Sequence, residues 1–500
     1  MKKSCKRLLA CLLCVSLLLG CGLFGAAEDP AAPAAGETAP FRLSCTVNGD
    51  PATQRGFCWY TRAETPSVLE LTLADGTPVD AAVDYADVTE WNGNYMHKAL
   101  ATGLQPGTTY IYRLGDGTTF TEPGVFVTDD RDDRVEFLAV ADIQASSLEN
   151  FQRGAAAVDA AFRTLPGAEF MLNLGDFTND STNEEWDYYA QAMDALSVKM
   201  TLAPIAGNHD GLGVWHWFEN LFCLDTSRSV QNLNGVNYSF DYGNVHIAVV
   251  NTNDLLSVSL AQLRWLRNDL NGTDKDWKII CMHKSPYTLG KDGKWPDAMY
   301  LQRALTKVAD DCGVDLVLSG HDHQYLRTKP LKGNKLDPDG TTYVLCGTAG
   351  TKRYEVRPFL ADHFMKTEFI DALTVQRDGW ANYWDGEDWE QSDPNNIGGC
   401  FNTFSVEGGT LTLKSYILRD EPAEDGSDVI TNIDTLTLTK ETGQNKITYT
   451  GDNTTGTAAY ALNVVPSFFA LAGYAFGEWL PKFLAMLPDL IKVYSETGIF

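Results

Sequence analysis

Five short strings hold most of the residues in this sequence that could do chemistry: Ala141-Asp142-Ile143-Gln144, Gly175-Asp176-Phe177-Thr178-Asn179-Asp180, Gly207-Asn208-His209-Asp210, Met282-His283 and Gly320-His321-Asp322-His323. Their side chains are carboxylates, imidazoles and amides, the oxygen and nitrogen donors that hold iron, manganese or zinc. Any one string alone is weak. A lone histidine is usually a satisfied core or surface residue, and Gly-Asp is commonly a turn or a helix cap. Together they carry weight: four of the eight histidines (His209, His283, His321, His323) fall inside them, and each string follows an apolar run.

Those runs are the elements that must position the site. Val135–Ala141, Glu169–Leu174, Met200–Ile205, Val245–Val250, Trp277–Met282 and Val314–Leu318 read as buried strands. Helical apolar spacing over Leu148–Leu165 and Glu184–Leu196 separates the first three. Alternation of strand and helix predicts an α/β layered fold with βαβ units around two sheets. Thr342–Cys346, Phe401–Val406 and Leu411–Ile417 read as further strands closing a second sheet. In open α/β sheets, sites form at the carboxyl ends of strands. Here nearly every such end carries a carboxylate, an amide or an imidazole, with glycine beside several of them to let the backbone turn.

The ordered strings resemble those of the calcineurin-like metallophosphoesterase superfamily. With an all-β segment in front, they resemble its purple acid phosphatase-like branch, over roughly residues 41–440. The resemblance implies a two-metal hydrolase. Asp176 would bridge the two ions. Asp142 and His323 would bind the first, and Asn208, His283 and His321 the second. A metal-bound hydroxide would attack phosphorus in line while both cations stabilise the phosphoryl oxygens. His209, with Asp210 as its orienting partner, is the candidate general acid for the leaving alkoxide. The expected activity is hydrolysis of phosphate monoesters. The alternative is a phosphodiesterase or nucleotide hydrolase using the same metals.

Two positions depart from the family pattern. Where purple acid phosphatases place a metal-binding tyrosine three residues after the bridging aspartate, this chain has Asn179, so the iron–tyrosinate colour is expected to be missing. Where many other members have histidine two residues after the first aspartate, it has Gln144, which would ligate the first metal weakly or hold a water. Lys284, Lys352 and Arg353 lie near the strings and could reach phosphate, although solvated surface charge is the plainer reading. His216, between Trp215 and Trp217, could line the pocket or pack in the core. His97, His246 and His363 receive no role, and His246 sits in an apolar run.

The remaining features bound the whole. The chain has 500 residues and a formal net charge of −27, about −31 once a leader with four basic residues is removed. Such a surface repels nucleic acid and anionic lipid, so neither is an expected partner; a small-molecule phosphate ester is. Any phosphate site must therefore bring its own positive charge. Residues 1–27 read as a signal peptide: Lys2, Lys3, Lys6 and Arg7 precede the apolar run Leu8–Leu19. The run ends in Leu18-Leu19-Gly20-Cys21, which resembles a bacterial lipobox, and cleavage near Ala27 is the alternative. The expected address is extracytoplasmic, as a secreted protein or a lipoprotein held at the cell surface through lipidated Cys21.

Residues 28–40 read as an Ala/Pro linker, and 41–128 as a sandwich resembling a fibronectin type III domain. The charged hinge Asp129–Asp133 leads into a catalytic domain over 134–440. A polar linker over 441–460 precedes an apolar tail over 461–500. That tail either docks on the body as an amphipathic segment or touches a membrane. The Trp-rich stretch 362–400 is either a pocket cover or a packed surface loop. Seven cysteines lie outside the leader, with no Cys-x-x-Cys pair among them, which argues against a zinc ribbon. Cys45 and Cys58 could bridge neighbouring strands.

Overall fold

The structure is a computed structural model. It describes residues 36–210, 217–230, 235–253, 258–354, 365–377, 380–384, 389–392, 398–451 and 456–497. The leader with Cys21, His216 and His363 lie outside the described residues. The Trp-rich stretch is not a loop: its described part is mainly three antiparallel strands, Ile370–Arg377, Trp380–Trp384 and Trp389–Ser392. Residues from Thr38 onward form one compact unit.

Two large sheets make its centre. In the first, Arg134–Val140, Phe170–Asn173 and Thr201–Pro204 run parallel, in that order. Cys400–Glu407, Thr410–Leu418 and Ile430–Thr439 extend this same sheet antiparallel on one side, so the runs Phe401–Val406 and Leu411–Ile417 do not close a second sheet as their sequence suggests; they pair back onto Arg134–Val140. In the second, Val245–Val250, Trp277–Met282, Leu316–Ser319 and Thr342–Cys346 run parallel. The alternation of side chains along a strand explains the layering. Ile247, Val249, Ile279, Cys281, Leu316 and Leu318 share a core with Phe137, Leu172 and Leu202 of the first sheet. Their neighbours Ala248, Val250, Ile280, Met282 and Val317 face the helices Leu260–Leu270 and Pro296–Cys312. The helices Leu148–Thr164 and Asn183–Ser197 add Phe151, Val158, Trp186 and Met193 to the first core. Strands buried on both faces need unbroken apolar runs, and that is how these segments read.

The N-terminal β region is a sandwich. Phe41–Thr46, Gln54–Thr61 and Asn94–Thr102 form one face, and Val68–Leu73, Thr109–Gly115 and Gly124–Val127 the other. Trp59, Phe57, Tyr110, Tyr112 and Phe126 fill the space between. This region shares a sheet with the centre, because Phe41–Thr46 pairs in parallel with Thr201–Pro204, Cys45 opposite Thr201. The charged junction is braced too: buried Asp129 accepts from Gly243 N at 3.0 Å and Arg131 N at 3.1 Å. Cys45 and Cys58 do not bridge. The register sets Cys45 opposite Phe57 and Cys58 opposite Ser44, so the two thiols leave opposite faces of the sheet, and all seven described cysteines are free.

Beyond the last strand the chain keeps to the body. Thr448 and Tyr449 both donate to the Asn271 carbonyl, at 2.8 and 3.0 Å. The tail forms helices Gly456–Tyr474 and Leu480–Thr497, joined by one wider turn at Ala475–Trp479. It touches the body through Leu260 N to Ser467 Oγ at 2.9 Å, a Tyr300–Tyr474 ring contact and an Arg303–Glu478 ion pair. Phe468, Phe469 and Phe476 stay exposed. Among the described residues no helix is long and apolar enough to cross a membrane.

Candidate metal centre

The parallel strands of both sheets deliver their carboxyl ends to one place. Asp142, Asp176 and His323 offer ligand atoms within 4.8 Å of one another, and so do Asp176, His283 and His321. Asp176 belongs to both groups. Asn208 joins through its Oδ1, 3.1 Å from His283 Nε2. All six side chains are buried or half-buried.

The backbone is bent to make this meeting. Asp142, Gln144, Asp176, His321 and His323 have φ of +53°, +34°, +54°, +81° and +51°. These are half of the ten non-glycine residues found in the left-handed region among the described residues. Strain of this kind persists where surrounding bonds over-determine it. Here Asp142 N donates to the Gly175 carbonyl at 3.0 Å, Gln144 N to the Asp176 carbonyl at 2.9 Å, and Gly320 N to the His283 carbonyl at 2.9 Å. Gly175, at φ +101°, makes the turn that no side chain would allow.

The imidazoles are aimed by their second nitrogens. A carbonyl only accepts, so His283 Nδ1–H donates to Leu174 O at 2.8 Å and His323 Nδ1–H donates to Lys352 O at 2.6 Å. Each ring thereby turns its Nε2 inward. His283 Nε2 lies 3.2 Å from Asp176 Oδ2, and His323 Nε2 lies 3.6 Å from Asp142 Oδ1. Among the described residues, His323 Nε2, His321 Nδ1 and both amide atoms of Gln144 are buried with no hydrogen-bond partner. Lone pairs facing lone pairs in a buried site are unfavourable unless a cation lies between them. The donor set therefore fits metal ions.

The titration behaviour agrees. Burial pushes the Asp142 carboxyl well above its usual range, with His283 opposing and Asp176 adding to it. Burial also opposes ionisation of Asp176, but the adjacent His283 outweighs it and holds Asp176 low. Burial alone would lower His283, yet Asp176 and Asp142 carry it up to about 9. The protein's own groups thus draw a positive charge to this spot. Burial lowers His321 well below its usual value and His323 to about 3, which keeps both neutral, the ligating form.

His209 and Asp210 sit beside this cluster with different tasks. His209 N donates to Asp176 Oδ1 at 2.8 Å, and its Nδ1–H donates to the Asn179 carbonyl at 2.5 Å. Adjacency in sequence suggests Asp210 as the partner of the His209 ring. The structure gives that ring the Asn179 carbonyl instead, and Asp210 holds backbone. Its Oδ2 accepts from Asp176 N at 2.8 Å and Gly207 N at 2.9 Å, its Oδ1 from Phe177 N at 2.9 Å. A buried carboxylate needs donors, and three amides at two strand ends supply them. The orienting groups Leu174 O, Lys352 O and Asn179 O are main-chain atoms, so no residue type in the sequence marks them.

Comparison with known proteins agrees with this architecture. Residues 135–325 match the family described as calcineurin-like phosphoesterase, and residues 40–128 match the purple acid phosphatase N-terminal domain. The chain thus carries a calcineurin-like phosphoesterase domain behind a purple acid phosphatase N-terminal domain. It is 23% identical over 333 residues to purple acid phosphatase 23 of Arabidopsis thaliana, covering 60% of this chain and 72% of the relative. It is 22% identical over 349 residues to acid phosphatase type 7 of Danio rerio, covering 59% and 75%. Among solved structures, a purple acid phosphatase from yellow lupin (Lupinus luteus) superposes with a TM-score of 0.61 at 15% identity, covering 81% of this chain and 75% of that one. The structure of PhoD superposes at 0.54 and 12% identity, covering 84% and 94%. These two show a shared fold: an N-terminal β region followed by a mixed α/β sheet domain.

Proposed function

We propose that this phosphoesterase hydrolyses phosphate monoesters at a two-metal centre built on Asp176. Asp142, Gln144 and His323 would hold one ion, and Asn208, His283 and His321 the other. One observation carries the reading: Asp176 is common to two separate groups of inward-facing donors. Oxygen and nitrogen donors without a thiolate suit iron, manganese or zinc. When bound, two such ions supply Lewis acidity and lower the pKa of a water enough to make it a nucleophile near neutral pH.

The chain's own residues do the rest. His209 N–H fixes Asp176 Oδ1 and so orients the carboxylate that both ions would share. The His209 ring, anchored at Nδ1 by the Asn179 carbonyl, keeps Nε2 to carry a proton to the leaving alkoxide. Asp210 locks the Asp176 and Gly207 turns together, so the donors are arranged before substrate arrives. The basic leader and its Leu-Leu-Gly-Cys21 string support an extracytoplasmic address, by secretion or lipid attachment.

The test is phosphate release from para-nitrophenyl phosphate with metal content measured in parallel. Asp176→Asn should lose both ions and turnover, and His209→Ala should lose turnover while keeping its metals. Undiminished turnover by chelated, metal-free protein would overturn the proposal.

A further inference from the structure

A phosphate ester approaching a protein of net charge −27 needs positive charge at the mouth of the site. Three basic side chains lie near the candidate ligands in sequence, and the structure separates them. Lys284 Nζ is paired with Asp297 Oδ2 at 2.8 Å. The Arg353 guanidinium donates to main-chain carbonyls, those of Thr351 at 2.9 Å and of Gly398. Lys352 has no such partner. It is half-buried, and among the described residues its ammonium has one polar contact, 3.4 Å from Asn179 Oδ1. That distance is long for a hydrogen bond.

Its position ties it to both working parts of the site. The Lys352 carbonyl takes the Nδ1–H of His323, and the Asn179 carbonyl takes the Nδ1–H of His209. The Lys352 side chain, leaning on Asn179, therefore lies by the residue that anchors the candidate proton donor. Its main chain anchors a candidate ligand. A half-desolvated ammonium with no counter-ion among the described residues is poised to take an anion.

We propose that Lys352 is a specificity-determining residue whose ammonium binds a non-bridging oxygen of the substrate phosphoryl group, favouring dianionic monoesters over monoanionic diesters. The inference rests on the phosphoesterase reading above. It deepens that reading by assigning the substrate's charge class. The Coulombic gain scales with the charge on the phosphoryl group, so the second negative charge of a monoester is what the lysine reads.

The experiment uses metal-loaded protein and the variants Lys352→Met and Lys352→Arg. It measures kcat/KM for para-nitrophenyl phosphate and for its bis-para-nitrophenyl diester, competitive inhibition by inorganic phosphate, bound metal and the unfolding midpoint. Lys352→Met should lose about 10- to 100-fold on the monoester, the range of a charge-assisted hydrogen bond. The phosphate inhibition constant should rise by a similar factor, and the monoester-to-diester ratio should fall at least about tenfold. Lys352→Arg should recover most of the monoester rate, because it restores the charge. Equal losses on both esters, no loss on either, or a loss that follows metal content would each overturn the inference. A wild-type protein that cleaves neither ester would instead overturn the phosphoesterase reading itself.

Discussion

Gly207→Ala places a single methyl group where the fold has no room for one. A Cβ at Gly207 would stand 2.0 Å from Asp176 N, 2.1 Å from Asp176 Oδ1 and 2.8 Å from Asp176 Cα. Ordinary carbon contacts are about 3.5–4.0 Å, so the two strand ends would have to part by more than about 1 Å. Neither side yields cheaply. Asp176 N is held by Asp210 Oδ2 at 2.8 Å, Asp176 Oδ1 by His209 N at 2.8 Å, and the Asp176 carbonyl by Gln144 N at 2.9 Å. Overpacking plus the loss of one or two of these bonds costs about 2–4 kcal/mol. A shift of that size in the shared carboxylate should lower kcat/KM at least about 100-fold. Gly207 does not occupy the left-handed region, so the effect is steric. Gly473→Ala is the matched control: it lies in the tail helix with nothing within 4 Å of its would-be Cβ, and alanine there should stabilise by about 1 kcal/mol. Denaturant unfolding, turnover and bound metal, measured on both variants, check this. A Gly207→Ala protein with an unchanged midpoint and turnover within threefold of wild type would refute the packing argument.

Other outcomes follow from particular residues. Burial would lower His246, but Asp269 at 3.0 Å and Asp241 at 2.7 Å outweigh it and raise the imidazole from 6.5 to about 9. A raised folded-state pKa means that this stability is fully present below pH 6.5 and lost as pH rises through 9. The amount is about 3 kcal/mol. Urea midpoints should therefore fall between pH 6.5 and 9, and His246→Gln should remove that slope; a slope that survives the substitution contradicts the assignment. Iron-loaded protein should show no visible tyrosinate band, because Asn179 stands where that ligand would be; a purple protein would contradict this. In a bacterial host, Cys21→Ala should abolish incorporation of labelled palmitate, and retained label would exclude the lipobox reading.

The fold was legible because both central sheets are buried on two faces. A strand such as Val245–Val250 must then be apolar throughout, and its ends must be punctuated by turn residues. The candidate ligands were legible for a related reason. Carboxylates and imidazoles that end buried strands stand out against the runs before them. The role of Asp210 was not legible, because its carboxylate does not meet the ring of its sequence neighbour His209, which bonds the Asn179 carbonyl. A tight turn at Gly207 sends its carboxylate under the first sheet's strand ends, to three amides.

By itself the sequence determined the central strands and the two helices between the first of them, and that five of those strands end in candidate metal ligands, since periodicity and residue type are local properties. Tertiary structure alone decided the rest. It joined the N-terminal sandwich to the first central sheet through Cys45 and Thr201, set Cys45 and Cys58 on opposite faces, and gave Lys284 a carboxylate and Arg353 main-chain carbonyls while leaving Lys352, among the described residues, one long contact to Asn179. Each of those outcomes depends on strand register or on main-chain carbonyls brought together from distant positions. A carbonyl is the same atom in every residue, so no sequence pattern announces which one will hold His209, His283 or His323.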